Sequence, residues 1–310
     1  MRKIKRCSLL ILIIILSMFP AGCTNPTAPK EAVTQSTNNV QKESATSVNT
    51  AATPVSGKLI VHFINVGQGD SELLQLPNGQ NILIDAGTNK AGSAIVDYLN
   101  KQGIKKIDCL VATHPHEDHI GGMDNVVKSF AIGSIYMPKV TTTTRSFEDV
   151  LNAIKDKDLK IIPGKAGMTI LDQDGLKISF LAPCGTTNQE LNNWSIVTRV
   201  QFEDNIFLFT GDTQEESENQ MLDSGADLSA DVLKVGHHGS YSSTSLAFLK
   251  AAAPEYAVIS AGKNNDYGHP HQITLDKLSA AGVNVYRTDQ NGIVVIISDG
   301  HNLSVKTSDN

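Results

Sequence analysis

Aromatic side chains are scarce in this sequence, at 5 % of 310 residues with a single Trp, and cysteines number only four. No pair of cysteines has zinc-finger spacing, so any bound metal has to be held by His and carboxylates. Long apolar runs are equally rare. Leu9–Phe19, interrupted by Ser17, falls well short of the ~20 residues that a membrane-spanning helix needs. Positive charge is in deficit too, with 26 Lys and Arg against 32 Asp and Glu, a net charge of −6. Such a chain lacks the broad basic surface on which tight non-specific nucleic-acid binding relies. The 24 Gly and the 19 % charged residues further exclude a collagen, a coiled coil and a wholly disordered chain. What the sequence does have is histidine. Seven of its nine fall in three clusters: His114, His116 and His119; His237 and His238; His269 and His271.

Arg2, Lys3, Lys5 and Arg6 precede the short apolar run, and Ala21-Gly22 close it, which reads as a secretory signal peptide over residues 1–22. Cys23 follows at once, and here the chain resembles a bacterial lipoprotein precursor. The resemblance implies cleavage before Cys23 and lipidation of it, although Pro20 departs from the pattern. A plain secreted protein or an uncleaved anchor is the alternative. Residues 24–57 contain no aromatic residue, no Leu and no Ile. Such a stretch buries too little apolar surface to offset its ordering entropy, so residues 23–57 read as an anchor cysteine with a disordered tether. The expected location is the extracytoplasmic face of the cell membrane. Loss of residues 1–22 removes four positive charges and takes the net charge from −6 to −10. Cys7 would leave with the signal. Cys109, in an apolar run, reads as a buried small hydrophobe, and Cys184 lies in a loop after Pro183. An oxidising compartment permits a disulfide between these two without requiring one.

Residues 58–310 are long enough for one large core. Leu59–Asn65 alternates and runs into Gly67-Gln68-Gly69, a strand entering a tight turn. Glu72–Leu76 and Asn81–Ile84 flank Pro77-Asn78-Gly79, a hairpin signal. Ala94–Lys101, Met123–Phe130 and Phe147–Asp156 carry helical periodicity, and apolar strands fall between them at Ile107–Thr113 and Ile132–Met137. Paired strands at 169–171, 176–181, 196–202 and 206–210 follow. Strands then alternate with helices up to Ile293–Ile297. A pure doubly wound sheet would lack the hairpins. Two mixed sheets face to face with helices outside, a four-layer αββα sandwich, fit the order better.

The densest chemistry is Thr113-His114-Pro115-His116-Glu117-Asp118-His119, directly after an apolar strand. Three imidazoles and two carboxylates in so short a loop are costly to bury without partners. Divalent ions such as Zn²⁺ or Mn²⁺ favour these ligand types. Alternation along the loop lets His114 and His116 share one metal while Asp118 and His119 turn towards a second. Asp212, at the end of the strand Ile206–Thr210, is placed either to bridge two cations or to act as a turn residue or N-cap. His237 and His238 sit in a Gly-rich loop after another strand, as ligands or as turn residues. His269 and His271 belong to a further loop, where an ordinary surface role is the alternative.

Taken together, His114–His119, Asp85 in LIDAG, Asp212 and the His237-His238 pair resemble the metallo-β-lactamase superfamily, whose fold is the αββα sandwich. More finely, VGQGDS at 66–71, THPHEDHIGGM at 113–123, Asn193 and Ser195 ahead of FTGD, LKVGHHGS at 233–240 and NDYGHP at 265–270 are similar to the hydrolase domain of ComEC-type competence proteins. The resemblance implies one or two divalent ions. His114 and His116 would bind one, Asp118 and His119 the other, and Asp212 would bridge. One of His237 and His238 would complete the set, and spacing does not choose between them. Asp85 would orient a ligand imidazole, with Gln68 and Asp70 nearby. The superfamily usually carries another ligand His some twenty residues before the bridging Asp. Residues 191–195 hold none, which leaves one metal with fewer protein ligands. Asn65 stands where the ComEC-type turn often begins with Asp, and no catalytic role is assigned to it.

The reaction these features imply is hydrolysis by water made nucleophilic near neutral pH by the ions. Asp118 is the candidate to orient or deprotonate the water, and His269 to donate to the leaving oxygen or a phosphate. Lys234 and Lys263 flank the expected site and are read as solvated surface lysines, with contact to substrate as the alternative. The leading expectation is a phosphodiesterase, a nuclease acting on extracellular DNA. A lactonase, β-lactamase or phosphocholine esterase on the same scaffold is the hydrolytic alternative, and a tethered non-catalytic binding protein is the alternative from another class.

Overall fold

The structure, a computed structural model, describes residues 57–185 and 190–308. The signal segment 1–22, Cys23 and all of the 23–57 tether except Gly57 lie outside the described residues. Among the described residues no helix is long and apolar enough to cross a membrane.

The chain begins with a meander of β1 (Leu59–Phe63), β2 (Glu72–Gln75) and β3 (Asn81–Ile84), in which β2 and β3 pair antiparallel across Pro77-Asn78-Gly79. From β3 onwards the pairing turns parallel, to β4 (Lys106–Val111), β5 (Ala131–Met137) and β6 (Ile161–Pro163). Parallel neighbours need crossovers. These are supplied by α1 (Gly92–Lys101), by α2 (Glu117–Ile120) with α3 (Met123–Ser129), and by α4 (Arg145–Asp156). In α4 the buried residues Phe147, Val150 and Ile154 recur at helical spacing, so one face packs on the sheet.

The second half opens with β7 (Thr169–Gln173), β8 (Leu176–Ala182), β9 (Val197–Phe202) and β10 (Asn205–Phe209), all antiparallel neighbours. It then repeats the parallel rhythm with β11 (Val232–Lys234), β12 (Tyr256–Ile259) and β13 (Asn284–Arg287). Their crossovers are α5 (Glu215–Asp223), α6 (Leu246–Ala252) and α7 (Gln272–Ala280). After α8 (Thr288–Asn291), β14 (Val294–Ser298) and β15 (Leu303–Thr307) return to the first sheet beside β1. The result is an eight-stranded sheet and a seven-stranded sheet. Phe63, Phe180, Phe202, Phe207 and Phe209 fill the space between them, and one further core lies under the helices of each half. That is the four-layer αββα arrangement.

β6 and β15 are not evident in the sequence. Both are edge strands, the first short and ending in Pro, the second alternating apolar residues with Ser and Lys, so neither carries a strong buried pattern. Cys109 and Cys184 are free thiols. Burial pushes the Cys109 thiol up to about 12, which makes it unreactive.

The two sheets are also tied by charge. Lys234, at the end of β11, is wholly buried, contrary to its expected place on the surface, whereas Lys263 is exposed. The Lys234 Nζ donates to Asp70 Oδ2 at 2.7 Å and to the Val235 carbonyl at 3.1 Å. Asp70 belongs to the turn between β1 and β2, so this pair joins the second sheet to the first. Burial opposes the ammonium charge, but Asp70 and then Glu72 outweigh it and hold Lys234 above the usual lysine range. Removing one partner of such a pair strands the other in the interior, a loss of about 3–5 kcal/mol. Urea unfolding is therefore expected to show a loss of that size for Lys234→Met, and a change of less than about 0.5 kcal/mol for the exposed Lys263→Met.

Candidate metal centre

The parallel strands of both sheets end at one rim, where open α/β sheets place their ligands. The loop after β4 carries His114 and His116, and α2, which follows at once, carries Asp118 and His119. Asp85 follows β3, Asp212 follows β10, and His237 and His238 follow β11. Backbone hydrogen bonds lock these loops together. Asp70 N–H donates to the Asp118 carbonyl at 3.1 Å, Ile196 N–H to Thr113 at 2.9 Å, and His237 N–H to Gly211 at 3.1 Å. Gly69 makes the first contact possible. Its φ is +137°, and a Cβ there would run into the Asp118 carbonyl oxygen, so the VGQGD turn needs glycine at this point.

Four imidazoles converge on one carboxylate oxygen. The Nε2 atoms of His119, His238, His114 and His237 lie 3.1, 3.5, 3.8 and 3.8 Å from Asp212 Oδ2. Around this shared atom two donor groups form. One is Asp118, His119, Asp212 and His238; the other is His114, His116 and Asp212. The potential ligand atoms within each group lie within 4.8 Å of one another. Asp212 thus sits where a bridge between two cations would be.

Burial and hydrogen bonding separate the pair left open by spacing. His237 and His238 are consecutive residues with left-handed φ of 47° and 55°, a costly conformation for non-glycine residues. It turns both rings towards Asp212. His238 is buried, and its Nδ1–H donates to the Ser260 carbonyl at 3.0 Å, with Asp70 Oδ1 at 3.2 Å. That bond leaves Nε2 facing Asp118 at 3.2 Å and Asp212 at 3.5 Å. His237 is only half-buried, with Nδ1 3.3 Å from Ser242 Oγ, and stands at the cavity wall.

The groups behind the ligands fix their tautomers. His119 Nδ1–H donates to Asp85 Oδ2 at 2.7 Å. Asp85 also accepts from the Thr113 backbone N–H at 2.8 Å and from its hydroxyl at 2.6 Å. His114 Nδ1 lies 3.1 Å from Thr113 Oγ1 and 3.3 Å from Ser195 Oγ, and Ser195 Oγ accepts from Asp212 N–H at 3.1 Å. Ser195 therefore couples His114 to Asp212 in the segment where no histidine is found. Asn193 is further back, accepting from Gln214 N–H and donating to Glu216. Gln68 accepts from Gly262 N–H at 3.1 Å and lines the cavity. Asn65 is structural, accepting from Gly67 N–H and donating to the Thr288 carbonyl. Thr113, Ser260 and Lys234 have no individual signal in the sequence as supports of the site; Thr113 is recognisable only by adjoining the histidine loop.

The electrostatics suit cations. Burial disfavours charge on His119 and His238, but the carboxylates around them, Asp212 foremost, carry both well above the usual histidine range. Burial opposes ionisation of Asp118 and Asp212 as well. His119 and His238 together outweigh it at both and hold both carboxyls below their ordinary range. His114, by contrast, is driven well down, first by burial and then by His119. The Nε2 atoms of His119 and His238 and Oδ1 of Asp212 are buried without hydrogen-bond partners in the protein. A field that favours protonated imidazoles, together with inward-facing atoms lacking protein partners, fits divalent ions. Alongside these residues lies a cavity of about 440 Å³ lined by Gln68, His116, Asp118, His237, Tyr267 and His269, among others.

Two substitutions separate ligand from wall. Metal content after dialysis is expected to fall by one equivalent in His238→Ala and to persist in His237→Ala. Asp85→Asn should weaken metal affinity about 10–100-fold in a chelator competition. Equal losses in the two histidine variants would contradict the assignment.

Residues 64–263 match the profile described as Metallo-beta-lactamase superfamily. ComE operon protein 3 of Bacillus subtilis (strain 168) is 34 % identical over 251 residues, 76 % of this chain and 32 % of that protein. Competence protein ComA of Neisseria gonorrhoeae is 34 % identical over 230 residues, 74 % of this chain and 30 % of that protein. The chain spans about a third of the length of these curated relatives. Among solved structures, Igni18, a metallo hydrolase from the archaeon Ignicoccus hospitalis, superposes with a TM-score of 0.51 at 18 % identity, covering 76 % of this chain and 98 % of that one. This likeness shows the fold, and the His/Asp cluster placed on it points to divalent metal ions. With its profile match covering well over half the residues, the chain belongs to the metallo-beta-lactamase superfamily.

Proposed function

We propose that this protein is a metal-dependent phosphodiesterase that cleaves DNA outside the cytoplasmic membrane, held there by a lipid on Cys23. The observation that carries the reading is the pair of overlapping donor groups sharing Asp212 at the wall of the cavity. Similarity to proteins named for competence favours DNA over other phosphodiesters.

When bound, divalent ions would supply Lewis acidity, making water nucleophilic near neutral pH and offsetting charge on the phosphoryl group. The chain's own residues handle position and protons. Asp118 is the most exposed carboxylate of the cluster, at 28 %, and faces the cavity. Its carboxylate, ionised at neutral pH, accepts the proton of the attacking water. As the water oxygen bonds to phosphorus, the bond to the leaving oxygen breaks, and the leaving oxygen takes a proton from solvent. Burial, then His238 and His237, lower His269 to about 4, so it is neutral at pH 7. Its part is therefore to donate an N–H hydrogen bond to a phosphate oxygen rather than to act as an imidazolium acid. On an acidic chain this local machinery, not a basic groove, has to hold the polyanion.

The test is a substrate panel of DNA, bis-p-nitrophenyl phosphate, a lactone and a cephalosporin, with Mn²⁺ or Zn²⁺ added. Cleavage of the phosphodiesters is expected, falling at least about 100-fold in Asp118→Ala. Turnover of lactone or lactam alone would overturn the phosphodiesterase reading, and metal uptake without any turnover would favour a binding protein. For the anchor, incorporation of radiolabelled fatty acid is expected in cells expressing the full chain and should vanish in Cys23→Ala, with release into the medium.

A further inference from the structure

In a chain poor in aromatics, two tyrosines stand exposed beside the metal centre: Tyr267 at 66 % and Tyr241 at 70 %. They are the two ends of a row of rings. Tyr267 stacks on His269 with centroids 5.7 Å apart and planes inclined by 21°. His269 meets His271 edge-on at 4.8 Å, and His271 meets Tyr241 at 5.0 Å. The row is anchored. Tyr241 N–H donates to His271 Nδ1 at 3.1 Å, and Asn265 clamps His269 by accepting its N–H at 3.0 Å and donating to its carbonyl at 2.6 Å. Its inner side touches the candidate ligand His238, whose ring lies 6.1 Å from His269. Tyr267 and His269 also line the cavity.

We propose that Tyr267, His269, His271 and Tyr241 form a stacking platform for unpaired nucleobases, which gives the site a preference for single-stranded DNA. The proposal rests on the phosphodiesterase reading above. Tyr267 and Tyr241 stand exposed at the ends of rings packed against one another, and each base stacked on an aromatic side chain contributes substantially to single-strand affinity. Stacking is also a mode of attachment suited to an acidic protein, because it does not need a basic groove. A duplex hides its base faces except at its ends, so the platform discriminates between the two forms. It sets a strand beside the donor groups with its phosphates free to reach Asp118 and His269.

The test uses the full chain with a chelator present, so that binding is read without turnover. Fluorescence anisotropy compares a labelled oligothymidylate with an abasic strand of equal length. Oligothymidylate is expected to bind more tightly. Tyr267→Ala and Tyr241→Ala should each weaken it by about five-fold or more, leave the abasic strand unchanged, and leave the slope of log affinity against log salt unchanged. Tyr267→Phe, which keeps the ring, should retain binding. No preference over the abasic strand, an equal loss for both strands, or a lowered salt slope would overturn the platform. Both tyrosines are exposed, so the variants should fold. The two readings fail separately. DNA cleavage with base-independent binding would sink the platform alone, and base-dependent binding without cleavage of any phosphodiester would sink the proposed function alone.

Discussion

The structure depends on keeping a cluster of opposite charges buried at the seam between two sheets. Asp70, Asp85 and Asp212 are almost wholly inaccessible, as are His119, His238 and Lys234. None of these would be tolerated singly in an apolar interior. Each is answered by another. Lys234 holds Asp70, Asp70 lies beside His238, His238 faces Asp118 and Asp212, and Asp212 faces His119, which Asp85 holds from behind. The chain of partners crosses from one sheet to the other. The same contacts that make the interior tolerable therefore fix the relative position of the loops, and the site is rigid because the fold needs it to be.

Much of this was legible in the sequence, for identifiable reasons. The hairpin signals and the alternation of strands with helices led to two mixed sheets, because local patterning is strong where one face of an element is buried. The loop at 113–119 stood out because so many ionisable groups in a few residues require an external partner. What could not be read were choices made at long range. Lys234 looked like a surface lysine, since its partner is 164 residues away in sequence. His237 and His238 are identical in type and adjacent, and they are told apart by burial and by a carbonyl 22 residues further on, that of Ser260. The edge strands β6 and β15 escaped notice because an edge buries too little to impose a pattern. The place of His271 in the row of rings is not legible in its own loop, because it depends on Tyr241 from another loop.

The division of labour follows from these scales. The sheets and their phenylalanine-rich core supply a rigid rim. The loops at that rim supply donors whose tautomers are set from behind by Asp85, Thr113, Ser195 and Ser260. Outside the donors, the exposed aromatic row offers contact of another kind, one that acts on uncharged base faces.

We propose that Asp212 would be shared by two divalent ions, since both donor groups include it. Electron paramagnetic resonance of the protein titrated with Mn²⁺ reads this directly, because ions bridged at about 3.5–4 Å give a spin-coupled spectrum. A coupled signal is predicted as the second equivalent binds, with its loss in Asp212→Asn. A spectrum of isolated Mn²⁺ at every stoichiometry, unaltered by that substitution, would contradict the account.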